Sequence, residues 1–124
     1  MWIRCNPNPL GKQTGDCVVR AIAIATAQSW KDVYQTLCRM GGIECEMPSS
    51  NSLWGMYLNS MGFEQFLLPE SCPKCITVRA FASKYPRGTY IIGTGNHAVA
   101  VMDGDWYDAW DSGNETPSYF WRVK

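Results

Sequence analysis

Residues 17 to 27, Cys-Val-Val-Arg-Ala-Ile-Ala-Ile-Ala-Thr-Ala, constrain the fold of this chain more than any other stretch. They are apolar on nearly every side, with Arg20 the main interruption. A helix without a polar face has to run through the interior of a domain with other elements wrapped around it. Asp16 stands where an N-cap belongs, and the Asn-, Pro- and Gly-rich residues before it read as an irregular approach. The pattern predicts a buried helix whose first residue is Cys17.

The chain carries enough apolar material to surround such a helix. Of its 124 residues 46% are hydrophobic, including six Trp, six Tyr and four Phe, and each aromatic can bury about 150 to 250 Å². That size and composition predict one domain over residues 1–124. Ser29 to Asp32 has capping-box spacing, and Trp30, Val33, Tyr34 and Leu37 follow at helical intervals, predicting a second helix that ends near Gly41-Gly42. A third is predicted from about 51 to 61, with Leu53, Trp54, Tyr57, Leu58 and Met61 on one face and Gly62 as its stop. Residues 63–68 read as a short strand, 72–75 as a Cys-Pro-Lys-Cys turn, and 77–84 as a short helix.

The composition then changes. Residues 90–92, 97–102, 106–110 and 119–123 are rich in β-branched and aromatic side chains and read as strands, with Asp103-Gly104 turning a hairpin. Helices first and strands second predict an α+β fold, N-terminal helices packed on a C-terminal antiparallel sheet.

Eleven basic residues balance eleven acidic ones, with no like-charged run to follow a phosphate backbone, so nucleic acid is not expected as a partner. No stretch approaches the roughly 20 apolar residues that cross a bilayer, and Met1 to Pro7 lacks the apolar run of a secretory signal. No membrane association is expected, and the expected location is cytoplasmic, with the six cysteines reduced.

The candidate chemistry lies in Cys17 and in the chain's one histidine, His97. A cysteine attacks as the thiolate, and a helix N-terminus lowers its pKa because unpaired N–H groups and the helix dipole favour negative charge there. A neighbouring imidazolium lowers it further, and only His97 can supply one. Taken singly, a cysteine at a helix start is usually a small buried hydrophobe and a histidine at a strand end a structural hydrogen-bonder. Together, with their flanking residues, they point to a thiolate and imidazole pair.

A third group should hold the imidazole in the useful tautomer. The hairpin offers Asp108 and Asp111, and its register chooses between them. A two-residue Asp103-Gly104 loop pairs residues 102 and 105 and puts Asp108 on the face of His97. A three-residue loop shifts the parity by one and puts Asp111 there instead. The three-residue loop and Asp111 are the preferred reading. For an oxyanion hole, the backbone N–H of Cys17 and the side-chain amide of Gln13, four residues upstream, are the nearest donors.

In order, these residues resemble the papain-like cysteine peptidase superfamily: Gln13, then Gly15-Asp16-Cys17 opening a buried helix, then His97-Ala98-Val99-Ala100-Val101, then Trp110-Asp111-Ser112-Gly113. The Asp16-Cys17 pair and the size look most like compact bacterial and phage versions, including the peptidase domains of bacteriocin exporters that cut after double glycine. The resemblance spans Gln13 to Gly113. It implies Cys17 as nucleophile, His97 as general base and then acid, Asp111 as orienter and Gln13 as oxyanion donor, acting without a cofactor on a peptide or protein substrate. Two departures stand out. Gln13 lies closer to Cys17 than is usual in the family, and the hairpin after His97 is shorter, which keeps Asp108 open.

Other readings compete. Cys72 and Cys75 have the spacing of half a zinc site, which Cys38 and Cys45 would have to complete, or of a redox dithiol, although Pro69 and Pro73 do not suit the strand such a motif follows. A catalytically silent papain-like module that binds a peptide or acts as an inhibitor is the non-enzymatic alternative.

Overall fold

In the computed structural model, which describes residues 1–69 and 74–123, the chain order is β1 (Trp2–Arg4), α1 (Cys17–Thr26), α2 (Trp30–Glu44), α3 (Asn51–Ser60), β2 (Glu64–Leu67), α4 (Val78–Lys84), β3 (Thr89–Gly93), β4 (Ala98–Met102), β5 (Asp105–Asp108) and β6 (Tyr119–Arg122). The fold is α+β, as the order of patterns predicts. Among the described residues no helix is long and apolar enough to cross a membrane.

The sheet differs from the expectation in one respect. Its order is β1-β5-β4-β3-β6-β2, and it is mixed rather than antiparallel, because β1 adds to β5 in parallel through Trp2, Ile3 and Arg4. Three residues ahead of an Asn- and Pro-rich loop offer too short a pattern to declare a strand; the open edge of β5 recruits them. At the opposite edge β2 pairs antiparallel with β6.

Both faces of the sheet are covered, and β4 shows how. Ala98 and Ala100 face α1 and join a core with Ile22, Leu37, Trp54 and Trp121. Val99 and Val101 face the other way, onto α4, with Phe81, Tyr90, Trp106 and Phe120. The small alanines let α1 lie close to the middle of the sheet, and Ile22, Leu37, Ile91 and Val101 are fully buried, each contributing about 1.5 to 3 kcal/mol by leaving water. Close approach also fixes Gly93, where a Cβ would overlap the ring of Tyr119. Gly93→Ala is expected to lower stability by about 1 to 3 kcal/mol, read as a reduced midpoint in urea unfolding with an unchanged slope.

The predicted helix starts hold, with Ser29 accepting from the Asp32 N–H at 3.0 Å and Thr77 from the Ala80 N–H at 3.1 Å. One predicted end does not. The second helix runs through Gly41-Gly42 to Glu44 and closes at Cys45 in the left-handed region. The carbonyl of Gly41 accepts from the Glu46 N–H, while a Cβ at Gly41 would strike the Glu46 carbonyl oxygen at 2.6 Å. The glycine serves chain reversal over the helix rather than termination. Met61 also departs from its predicted face and is exposed.

Candidate active site

Cys17 is the first residue of α1, and Asp16 before it occupies the N-cap position, but the Asp16 carboxylate caps no helical N–H. It is spent elsewhere, accepting from Asn8 Nδ2 at 3.2 Å and Trp30 Nε1 at 2.8 Å and pairing with Arg20. This diversion leaves the first-turn N–H groups free of a capping carboxylate at the end of the helix where Cys17 lines a cavity.

His97 leads into β4 and lines the same cavities as Cys17, and its imidazole and the backbone N–H of Ala98 both act to lower the Cys17 thiol. The other side of the ring is held by Asp108, whose Oδ2 lies 2.6 Å from His97 Nε2. This arrangement leaves Nδ1 toward the thiol. Trp110, 40% exposed, lies over the imidazole with ring centroids 4.8 Å apart and shields one of its faces from water.

The carboxylate that meets His97 is therefore that of Asp108, and the preference for Asp111 is corrected. Met102 pairs with Asp105, and Asp103 and Gly104 both take positive φ, 49° and 84°. This is the two-residue type I′ loop, and its parity delivers Asp108 to His97. Asp103 is fixed further by bonds with Gly88, its carboxylate accepting and its N–H donating. Asp111 is exposed and builds the turn after β5 instead, accepting from Trp106 Nε1 at 2.9 Å and the Gly113 N–H at 3.0 Å.

Asp108, 2% exposed, has both oxygens fully used. Oδ2 takes His97 and the Ser112 hydroxyl, and Oδ1 takes the Ala109 N–H at 2.8 Å and Arg20 Nη2 at 3.3 Å. Arg20, met in the sequence as a blemish on an apolar helix, thus joins the start of α1 to the carboxylate behind His97. The sequence assigns no role to Asn8, and none to Ser112 beyond its place in the Trp110-Asp111-Ser112-Gly113 stretch. No periodicity marks them, since each is a loop residue whose role depends on which carboxylate arrives.

The electrostatics follow from these contacts. Burial alone would push the Cys17 thiol up, but His97, the Ala98 N–H and the Arg20 charge outweigh it and hold the thiol below its ordinary value. Burial would likewise lower His97, yet Asp108 and Cys17 raise it to about 9. Asp108 is held low, its burial outweighed by His97, Ser112 and the Ala109 N–H. Both the Cys17 and the His97 shift run in the direction that favours a thiolate and imidazolium pair. By linkage, the His97 contribution to stability is complete below its unfolded value near 6.5 and is lost as pH rises through about 9. That of Asp108 is present above the ordinary carboxylate value and is lost as pH falls through its lowered one. Tyr119 stands close enough for the Cys17 charge to add to burial in raising its phenol to about 12.

Two cavities border the pair. One of about 280 Å³ includes Gln13, Arg20 and Trp110 with Cys17 and His97. Another of about 240 Å³ includes Ser49, Asn51, Trp54 and Gly95 with the same pair. Gln13 is exposed on the rim of the first. Among the described residues no group of three or more His, Cys, Asp or Glu side chains is arranged to hold a metal.

The expectation of six reduced thiols is also corrected. Cys75 is disulfide-bonded, whereas Cys5, Cys17, Cys38 and Cys45 are free. The bond removes Cys75 as a zinc ligand. The predicted turn at 72–75 lies mostly outside the described residues.

No protein-family model matches the chain, and neither the curated proteins nor the solved structures compared with it give a significant match.

Proposed function

We propose that this chain is a cysteine-dependent hydrolase of the papain-like type, acting on a peptide or isopeptide amide through an acyl-enzyme on Cys17. One observation carries the reading: a half-buried thiol at an uncapped helix N-terminus meets the sole histidine, whose far nitrogen is gripped by a buried carboxylate at 2.6 Å. The division into a helical part bearing the nucleophile and a sheet bearing base and orienter suits a cleft enzyme of this type.

The chemistry follows in two halves. The Cys17 thiolate attacks the amide carbonyl, and the oxyanion is met by the Cys17 N–H and the Gln13 amide. The tetrahedral adduct collapses as His97 gives its Nδ1 proton to the leaving amine, leaving a thioester. Water then attacks the thioester, its proton passing to His97, and the acid departs with the thiol restored. Asp108 holds the ring throughout and stabilises its charged form.

An apolar hollow of about 340 Å³ shares Gly15, Val18 and Ser49 with the cavity beside Cys17, and Trp30, Tyr34 and Pro48 form its wall. It suits an apolar side chain of the substrate near the scissile bond.

Brief treatment with iodoacetamide at pH 6, read residue by residue by mass spectrometry, tests the reading. Cys17 is expected to react at least about tenfold faster than Cys5, Cys38 and Cys45; the Cys5 thiol is itself raised by burial. Equal sluggishness would point instead to a silent binding or inhibitor module. For hydrolysis, the rate should rise with pH through an acid limb below the ordinary thiol range and fall again near pH 9, where His97 loses its proton.

A further inference from the structure

We propose that Arg20 is a positioning residue of this site, its guanidinium locking the start of the nucleophile's helix to the carboxylate that orients His97. The proposal rests on the reading of Cys17 as an activated thiolate. Arg20 follows Cys17 by three residues, one turn along the same face of α1, and is 5% exposed in an otherwise apolar helix.

A guanidinium so deep must find partners, and Asp16, four residues before it on the same segment, would suffice for that alone. Yet only one terminal nitrogen goes to Asp16; the other reaches Asp108 across the boundary between helix and sheet. The fork spans both carboxylates, a geometry that a single ammonium cannot reproduce. Its bond to Asp108 also selects the oxygen. With Arg20 and the Ala109 N–H on Oδ1, the carboxylate presents Oδ2 to His97 and Ser112. Without Arg20, rotation of that carboxylate is opposed on the Oδ1 side by the Ala109 N–H alone, because the last torsion of an aspartate is soft.

Charge gives a second consequence. His97 entering β4 and Arg20 on α1 act on the Cys17 thiol, whose charge in turn acts on the phenol of Tyr119 on β6, while Asp16 pairs with Arg20 and Asp108 with both Arg20 and His97 behind them. Two carboxylates are balanced by two cations. Removing Arg20 leaves one cation against two carboxylates and makes the thiolate harder to form.

The test uses the full chain with Arg20→Met and Arg20→Lys, measuring the rate of Cys17 alkylation by iodoacetamide from pH 5 to 10 beside a thermal melt. In Arg20→Met the alkylation midpoint is expected to rise by about one pH unit, a roughly tenfold loss of rate at pH 6. Arg20→Lys, which keeps the charge but not the fork, is expected to recover most of that shift. It should nevertheless broaden the proton NMR signal of the His97 Nε2–H, which is expected to be sharp in the wild-type chain, where Asp108 is held.

A folded Arg20→Met with the wild-type midpoint overturns the proposal and leaves Cys17 as an activated thiol. If Arg20→Met fails to fold, a sharp His97 signal in Arg20→Lys overturns it and a broadened one supports it. An ordinary thiol midpoint in the wild-type chain overturns both this proposal and the hydrolase reading.

Discussion

Cys17→Ala is expected to remove turnover altogether, a loss on the order of 10⁴-fold or more, while leaving the fold in place. The size of the effect follows from the role: without sulfur no acyl-enzyme forms, and what remains is the weak assistance of a cleft and its hydrogen-bond donors. Stability should change little. Alanine is the best helix former, the position is half-buried, and Cys17 is not one of the side chains that fill the centre of the core. The measurement is hydrolysis of a mixed peptide library by the wild-type and variant chains at equal concentration, with melting curves beside it. Retained hydrolysis in folded Cys17→Ala would end the assignment of Cys17 as nucleophile.

The second large effect separates two aspartates three residues apart. Asp108→Asn is expected to lower kcat by about 10² to 10⁴-fold, because an amide can present a donor where His97 needs an acceptor and the ring loses its tautomer and its charge partner. The alkaline limb near pH 9 should move toward neutrality, since Asp108 raises His97. Asp108→Ala should also destabilise the fold by about 3 to 5 kcal/mol, as His97 would be left buried without its carboxylate and Arg20 would keep only Asp16. Asp111→Ala is expected to keep kcat within a few-fold, because its carboxylate accepts from Trp106 and Gly113 in the turn after β5 and makes no bond to His97. The reverse outcome, with Asp111 essential and Asp108 dispensable, would return the orienter to the residue preferred from the sequence.

That correction shows how far local pattern reaches. The Asp103-Gly104 pair announced a hairpin, but both a tight two-residue loop and a bulged three-residue loop accept those residues, and the choice inverts every side chain beyond it. The decision came from outside the hairpin: Gly88 holds Asp103, and Arg20 and Ser112 supply the bonds that make Asp108 tolerable in the interior. Asp16 teaches a similar lesson. Its position is that of a cap, yet an indole, an amide and a guanidinium compete for its carboxylate and win.

Residues that write their role in short-range spacing were readable from the chain alone. The apolar run from Cys17 marks the central helix, Ser29 marks the start of the second, the spacing of Val78, Phe81 and Ala82 marks the short helix near 77–84, and the lone histidine leaves one partner for the thiol, because periodicity and capping are settled within a few residues of one another. What only the tertiary structure decided are the parallel edge strand at Trp2, the exchange of Asp111 for Asp108, and the use of Arg20 as a bridge. Each depends on a hydrogen bond between segments distant in sequence, and such bonds are set by which buried polar groups can satisfy one another once the helix lies on the sheet.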